Sequence, residues 1–208
     1  EADPGLVVAA GRSTYHHPDG DQVPEPHPIN LSSEAAGDRI CAYYRVVRAN
    51  GVFYGVTRAG ADAAVGPLRN CQGADLLHVA ALAYQGRIVT LEHVALHRAV
   101  GGATRNLANV ARTLGLGWFQ TYAPQLAVVG FVVRDVAWAS PVYADRGWFG
   151  RIVLAGRAGW AIFWHYMPEA VGKVIRLVRA RLRGRSGSGS GRARSGVLPR
   201  LVASKGPT

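Results

Sequence analysis

The chain has 208 residues, 49% of them hydrophobic, which is enough apolar side chain for a folded core and too much for a disordered segment. Its net charge of +11 is unevenly placed: Lys173–Lys205 holds ten basic residues and no acidic one, leaving 14 basic against 13 acidic elsewhere. Two cysteines, Cys41 and Cys71, exclude a disulfide framework and favour a reduced, cytoplasmic setting.

The opening EADPGLVVAAG has neither a basic n-region nor a long apolar run, so no secretory signal is expected in it. It lacks an initiator Met and reads like the end of a helix, which predicts a portion of something longer. Leu6–His17 is a predicted strand, closed by the turn PDGDQ. VPEPHPIN is extended, because each Pro disfavours helix in the residue before it. LSSEAAGDRICAYYRVVRAN reads as a helix capped by Ser32 or Ser33, with Glu34 in its first turn and Ile40, Tyr43, Tyr44 and Val47 on one face.

GVFYGVT (Gly51–Thr57) is a short β-type run, and RAGADAAVG starts another helical turn. GADLLHVAALAYQG (Gly73–Gly86) is the clearest short helix, with Gly86 as its stop. Asp75 sits near its start, where a carboxylate suits the helix dipole. The same carboxylate, beside Gly73 and Ala74, can instead face a cleft and serve as a general base toward a hydroxyl. RIVTL and HVALHRAV follow as two strands.

From Asn106 the chain turns mostly helical, over Asn106–Ala139 and Arg151–Arg183. The apolar run Ala123–Val133 has only eleven residues, too few for the ~20 that span a bilayer. Trp118, Trp138, Trp148, Trp160 and Trp164 have two readings. They fill a helical core, the commoner case, or they seat the chain on a membrane surface together with its basic end. VGKVIRLVRARLRGR suits the second reading: Val171, Val174, Ile175 and Val178 form an apolar stripe, with Lys173, Arg176, Arg179 and Arg183 largely off it. Arg185–Thr208 is a low-complexity end. No aromatic residue separates its arginines, so stacking groups for single-stranded nucleic acid are missing there.

The order of pieces NGVFYGVTR, GADLLHVAALAYQGRIVTL and VALHRAVGG, after EADPGLVVAAG, resembles the C-terminal half of family 2 glycosyltransferases, the inverting group with the GT-A fold. The likeness covers Glu1 to Thr104. It implies an α/β domain with a partial, mixed GT-A-like sheet over residues 1–104, a helical Trp-rich region over 105–184 and a basic tail over 185–208. It further implies that Asp75 is the catalytic base, that Tyr54, Gly55 and Arg58 lie near donor sugar and acceptor, and that His97 and Arg98 close the site near the diphosphate or a metal. The closing segment departs from the family pattern, since His97 replaces an aromatic residue and AVGG replaces the usual ending.

The implied partners are a nucleotide-sugar donor and a hydroxyl or lipid-linked acceptor, with Mg or Mn as the cation of the complete enzyme. No D-x-D motif stands where the family places one, as the DGD of Asp19–Asp21 falls in a Pro-rich turn after the strand. The chain is therefore expected to be inactive without a donor-binding N-terminal half, supplied as a partner chain, and to leave a sheet edge exposed. The rival expectation is a non-catalytic module that binds membrane or nucleic acid through its basic end. A peripheral position at the inner face of the plasma membrane fits either.

Overall fold

The computed structural model describes residues 3–48, 50–100 and 107–186. The chain divides into two compact units, Glu1–Pro168 and Glu169–Thr208. In the first, β1 (Leu6–His16) is the centre of a four-stranded mixed sheet. It pairs antiparallel with β2 (Gln22–Pro24) and β3 (Val56–Thr57), and parallel with β4 (Arg87–Ala99). A parallel neighbour requires a crossover. Here the chain between β1 and β4 supplies α1 (Ala36–Val46), α2 (Ala59–Val65) and α3 (Ala74–Gln85). The mixed α/β class read from the sequence is thus observed.

Several local details differ from expectation, each for a packing reason. Helix α1 starts at Ala36 with no side-chain cap, instead of being capped by Ser32 or Ser33. The buried Arg39 explains it: its Nη1 donates to Ser33 O (2.7 Å) and Glu34 O (2.9 Å), holding that segment out of the helix. The same guanidinium donates to Ala83 O (2.6 Å) and Tyr84 O (2.8 Å), carbonyls left without partners at the C-terminal end of α3. Burial lowers the Arg39 pKa, and four carbonyl oxygens offset that cost.

GVFYGVT is not a plain strand: Gly51–Tyr54 forms a 3-10 turn before the two residues of β3. Gly86 does end α3, but its backbone is extended (φ −172°), so left-handed freedom is not what it supplies. A Cβ there would lie 2.3 Å from Val7 Cγ2 and 2.6 Å from Gly5 O, so the close approach of β1 demands glycine. RIVTL and HVALHRAV are one strand, β4, interrupted where its pairing slips between Gly11↔Leu91 and Arg12↔Ala95.

The helical part has α4 (Leu107–Thr113), α5 (Trp118–Tyr122), α6 (Pro124–Arg134), a π-helical turn (Asp135–Ala139), a 3-10 turn (Pro141–Arg146) and α7 (Gly147–Ser186). Buried side chains from Val7 to Ile162 form one cluster, with Tyr43, Tyr44 and Tyr143 fully enclosed. Described residues before position 101 and the described helices after it, up to Ile162, therefore contribute to one core. The core reading of the tryptophans is overturned: all five are exposed. Small residues fill that space instead. Ala127, Ala137, Ala155, Ala158 and Ala161 are buried, and an added Cβ on Gly159 would lie 2.5 Å from Val133 Cγ2.

In the second unit the backbone is helical to Ser186. The side chains of the apolar stripe Val171, Val174, Ile175 and Val178, and of Lys173, Arg176, Arg179 and Arg183, lie outside the described residues, as do residues 187–208.

Candidate functional site

Helix α3 is preceded by Gly73, whose left-handed φ of 78° favours glycine. Two residues later Asp75 is half-buried. Its carboxylate is not engaged in capping its own helix. Oδ2 accepts instead from Asn50 Nδ2 at 2.9 Å. Asn50 is 6% exposed and is the one non-glycine with positive φ (42°) among the described residues, a conformation asparagine tolerates better than most. Its Oδ1 accepts from the Tyr43 hydroxyl at 2.8 Å.

The direction of this chain is set by chemistry. Tyr43 is fully buried; burial first, and the Asp75 charge second, push its pKa well above the usual phenol value, so it stays a donor. An ionised carboxylate only accepts. Between a fixed donor and a fixed acceptor, the Asn50 amide has one orientation, and Asp75 is aimed by it.

The chain from Asn50 leads straight into the Gly51–Tyr54 turn, which touches α3, β1 and β4. A Cβ on Gly51 would stand 2.2 Å from Ser13 Oγ and 3.5 Å from Glu25 Oε2, so the turn lies flush on β1 beside a buried carboxylate. Phe53 meets His78 of α3 edge-on at 6.0 Å. Tyr54, 61% exposed, carries the Arg98 guanidinium 5.2 Å from its ring centre. Arg98 also stands 5.7 Å from the Tyr15 ring, so two aromatic rings hold it. Burial raises the Tyr15 pKa, and the Arg98 charge works against that rise.

Asp75 thus accepts from the residue that opens this turn, and Arg98 rests on Tyr54 at its end. The other residues picked from the sequence have different partners. Arg58 donates from Nε to Leu6 O (3.2 Å) and from Nη2 to Asp3 O (3.1 Å), fastening the start of β1. Gly55 is a contact position: a Cβ would lie 2.8 Å from Ala9 O and 3.0 Å from Ala10 Cβ. His97 Nδ1 lies 2.7 Å from His16 Nε2, one ring donating and the other accepting. Among the described residues no group of three or more His, Cys, Asp or Glu side chains is placed to hold a metal ion.

Asn50, Tyr43, Tyr15 and His16 were not picked from the sequence. Asn50 had a visible signal, since Asn-Gly marks a turn with left-handed backbone. The other three became visible only through pairing of β1 with β4 and packing of α1 on α3.

A second buried carboxylate was also missed. Asp135, in the π-helical turn, is 3% exposed and faces Arg69, with Nη2 2.7 Å from Oδ1. Burial raises its pKa to about 6 despite the opposing charges of Arg69, Arg151 and Arg134. Arg69, His78, Asp135 and Ser140 line a small cleft with Pro67 and Leu68. No family model, curated protein or solved structure matches the chain.

Proposed function

We propose that this chain carries the acceptor-side portion of an inverting glycosyltransferase, with Asp75 as general base. The observation that carries the reading is the aimed carboxylate: Tyr43 and Asn50 hold one oxygen of Asp75, and Asn50 opens the turn that carries Tyr54, on whose ring Arg98 of β4 rests. In the reaction, a hydroxyl of the acceptor gives its proton to the Asp75 carboxylate. The acceptor oxygen forms the new bond to the anomeric carbon from the face opposite the leaving group. The bond from that carbon to the nucleoside diphosphate breaks, and its electron pair leaves with the diphosphate. One attack from the opposite face inverts the anomeric centre.

Asn50 is a positioning residue, and the Tyr54–Arg98 stack is a polar-aromatic wall suited to a sugar ring or a phosphate oxygen. The donor-binding elements, with a Mg or Mn ion to neutralise the departing diphosphate, belong in this reading to a separate half that pairs with this chain. The second half of β4, from Glu92 to Ala99, is largely exposed and offers an edge to such a half.

The test supplies that half as a partner chain, together with nucleotide sugars, Mn²⁺ and simple or lipid-linked hydroxyl acceptors. Asp75→Asn is expected to lower transfer by at least ~100-fold while far-ultraviolet circular dichroism is unchanged. Equal turnover by the variant and its parent removes Asp75 from the chemistry. The 208-residue chain alone is expected to give no turnover with the same panel. Turnover by it alone would overturn the need for a second half.

A further inference from the structure

Helix α7 is apolar on two opposite sides. Leu154, Ala155, Ala158, Ala161 and Ile162 are buried in the shared core. Phe149, Val153, Trp160 and Trp164 follow at spacings of four, seven and four, which places them within about 60° of one another at ~100° per residue. That sector is opposite the buried face, and all four side chains are exposed. Trp160 and Trp164 are in ring contact at 5.4 Å, with Phe163 beside both. A helix apolar all round belongs in a large core or in lipid. Here only one side has a core.

The charges close in sequence to this face are mostly positive, with Arg157 of the helix paired to the exposed Asp38 at 2.6 Å. Between Gly117 and Pro168 the acidic residues are Asp135, which is buried against Arg69, and Asp145, which accepts from the Tyr84 hydroxyl at 2.6 Å. The arginines of the same stretch are Arg134, Arg146, Arg151 and Arg157. The sequence after it adds Glu169 and then the ten basic and no acidic residues of Lys173–Lys205. An exposed indole face, in a chain whose sequence carries this excess of positive charge, is complementary to an anionic lipid leaflet, where indoles favour the headgroup level and each basic residue adds on the order of 1 kcal/mol.

We propose that the outer face of α7 seats the protein on an anionic lipid surface, with Phe149, Val153, Trp160 and Trp164 entering the headgroup layer and the helix lying in its plane. Among the described residues no single helix is long and apolar enough to cross a membrane; the one pair that passes together, Pro124–Ala139 with Pro141–Pro168, is bent by 64°. Both members also give their inner faces, including Val128, Val132, Ala158 and Ile162, to the protein core. This inference is independent of the role of Asp75.

The experiment uses the full chain with phosphatidylcholine vesicles, with and without phosphatidylserine, at low and high salt. Flotation and the tryptophan emission maximum are read together. The protein is expected to float with phosphatidylserine vesicles at low salt, to shift its emission to the blue, and to bind more weakly at high salt. The double substitution Trp160→Ser, Trp164→Ser is expected to weaken partition at least ~10-fold without changing far-ultraviolet circular dichroism. Three results overturn the proposal: no flotation, flotation undiminished by the double substitution, or a dimer in light scattering whose formation buries these indoles. Preference for an RNA or DNA oligonucleotide over the vesicles, with the emission unchanged, overturns it as well.

Discussion

The sheet corner around Asp75 and the helical layer from α5 to α7 manage their difficult groups in opposite ways. In the sheet corner, two sets of buried polar groups come in chains with defined donors and acceptors: Tyr43 to Asn50 to Asp75, and Arg39 to four carbonyls. In the helical layer the groups out of place are apolar ones facing water, with all five tryptophans exposed, from 53% at Trp164 to 74% at Trp118. Satisfied polar chains fix geometry, because each member has one workable orientation. Exposed indoles fix nothing inside the fold, and their cost in water is recovered only against another surface.

Removing a polar hub should therefore cost the fold heavily, and removing an exposed indole should cost it almost nothing. The largest effect is expected for Arg39→Met. It leaves the carbonyls of Ser33, Glu34, Ala83 and Tyr84 without this donor, and a loss of about 4 kcal/mol in chemical denaturation is expected. A loss below ~1 kcal/mol would show that water replaces the guanidinium freely.

Asp135 sharpens the comparison, as a buried carboxylate within the helical layer. Its folded pKa of about 6 lies above the ordinary 3.8. Below the ordinary value both states are protonated and the carboxyl carries no penalty. As pH rises through this window the unfolded state ionises first, so folding stability falls by about 3 kcal/mol and then levels off above the folded value. Asp135→Asn lacks this titration. Its stability relative to the parent is expected to rise between pH ~4 and pH ~6.5 by about that amount. Thermal or urea melts across that range check it, and a flat difference contradicts it.

Gly86→Ala probes the contact between α3 and β1. With Val7 Cγ2 and Gly5 O inside 3 Å of the new methyl, a loss of about 2 kcal/mol is expected from urea unfolding. The smallest effect is Trp160→Ser, at most ~0.5 kcal/mol in the same measurement without lipid, since the side chain is 62% exposed. A larger loss would mean that the outer face of α7 already contributes to the core.

Glycine, proline and apolar periodicity in the sequence were enough to place β1, α1, α3 and the stop at Gly86, because these signals act within a few residues. They also put a carboxylate at the mouth of α3. What made that carboxylate more than a dipole partner was contact at long range. Tyr43 and Asn50 reach it only because α1 packs on α3, and Arg98 reaches Tyr54 only because β4 lies parallel to β1. The likeness of these motifs to glycosyltransferases was read from their order alone, and the Asn50–Asp75 and Arg98–Tyr54 contacts are separate features of the fold.

The helical region shows the opposite limit. Between Gly147 and Pro168 the sequence of α7 is apolar on two opposite sides, so periodicity cannot say which face is buried. Composition alone determined that this stretch is helical, rich in indoles and followed by positive charge. Which side faces the core was decided by volume: Ala155, Ala158, Gly159 and Ala161 allow the close approach of α6 and the sheet-side helices, and an indole at those places does not fit.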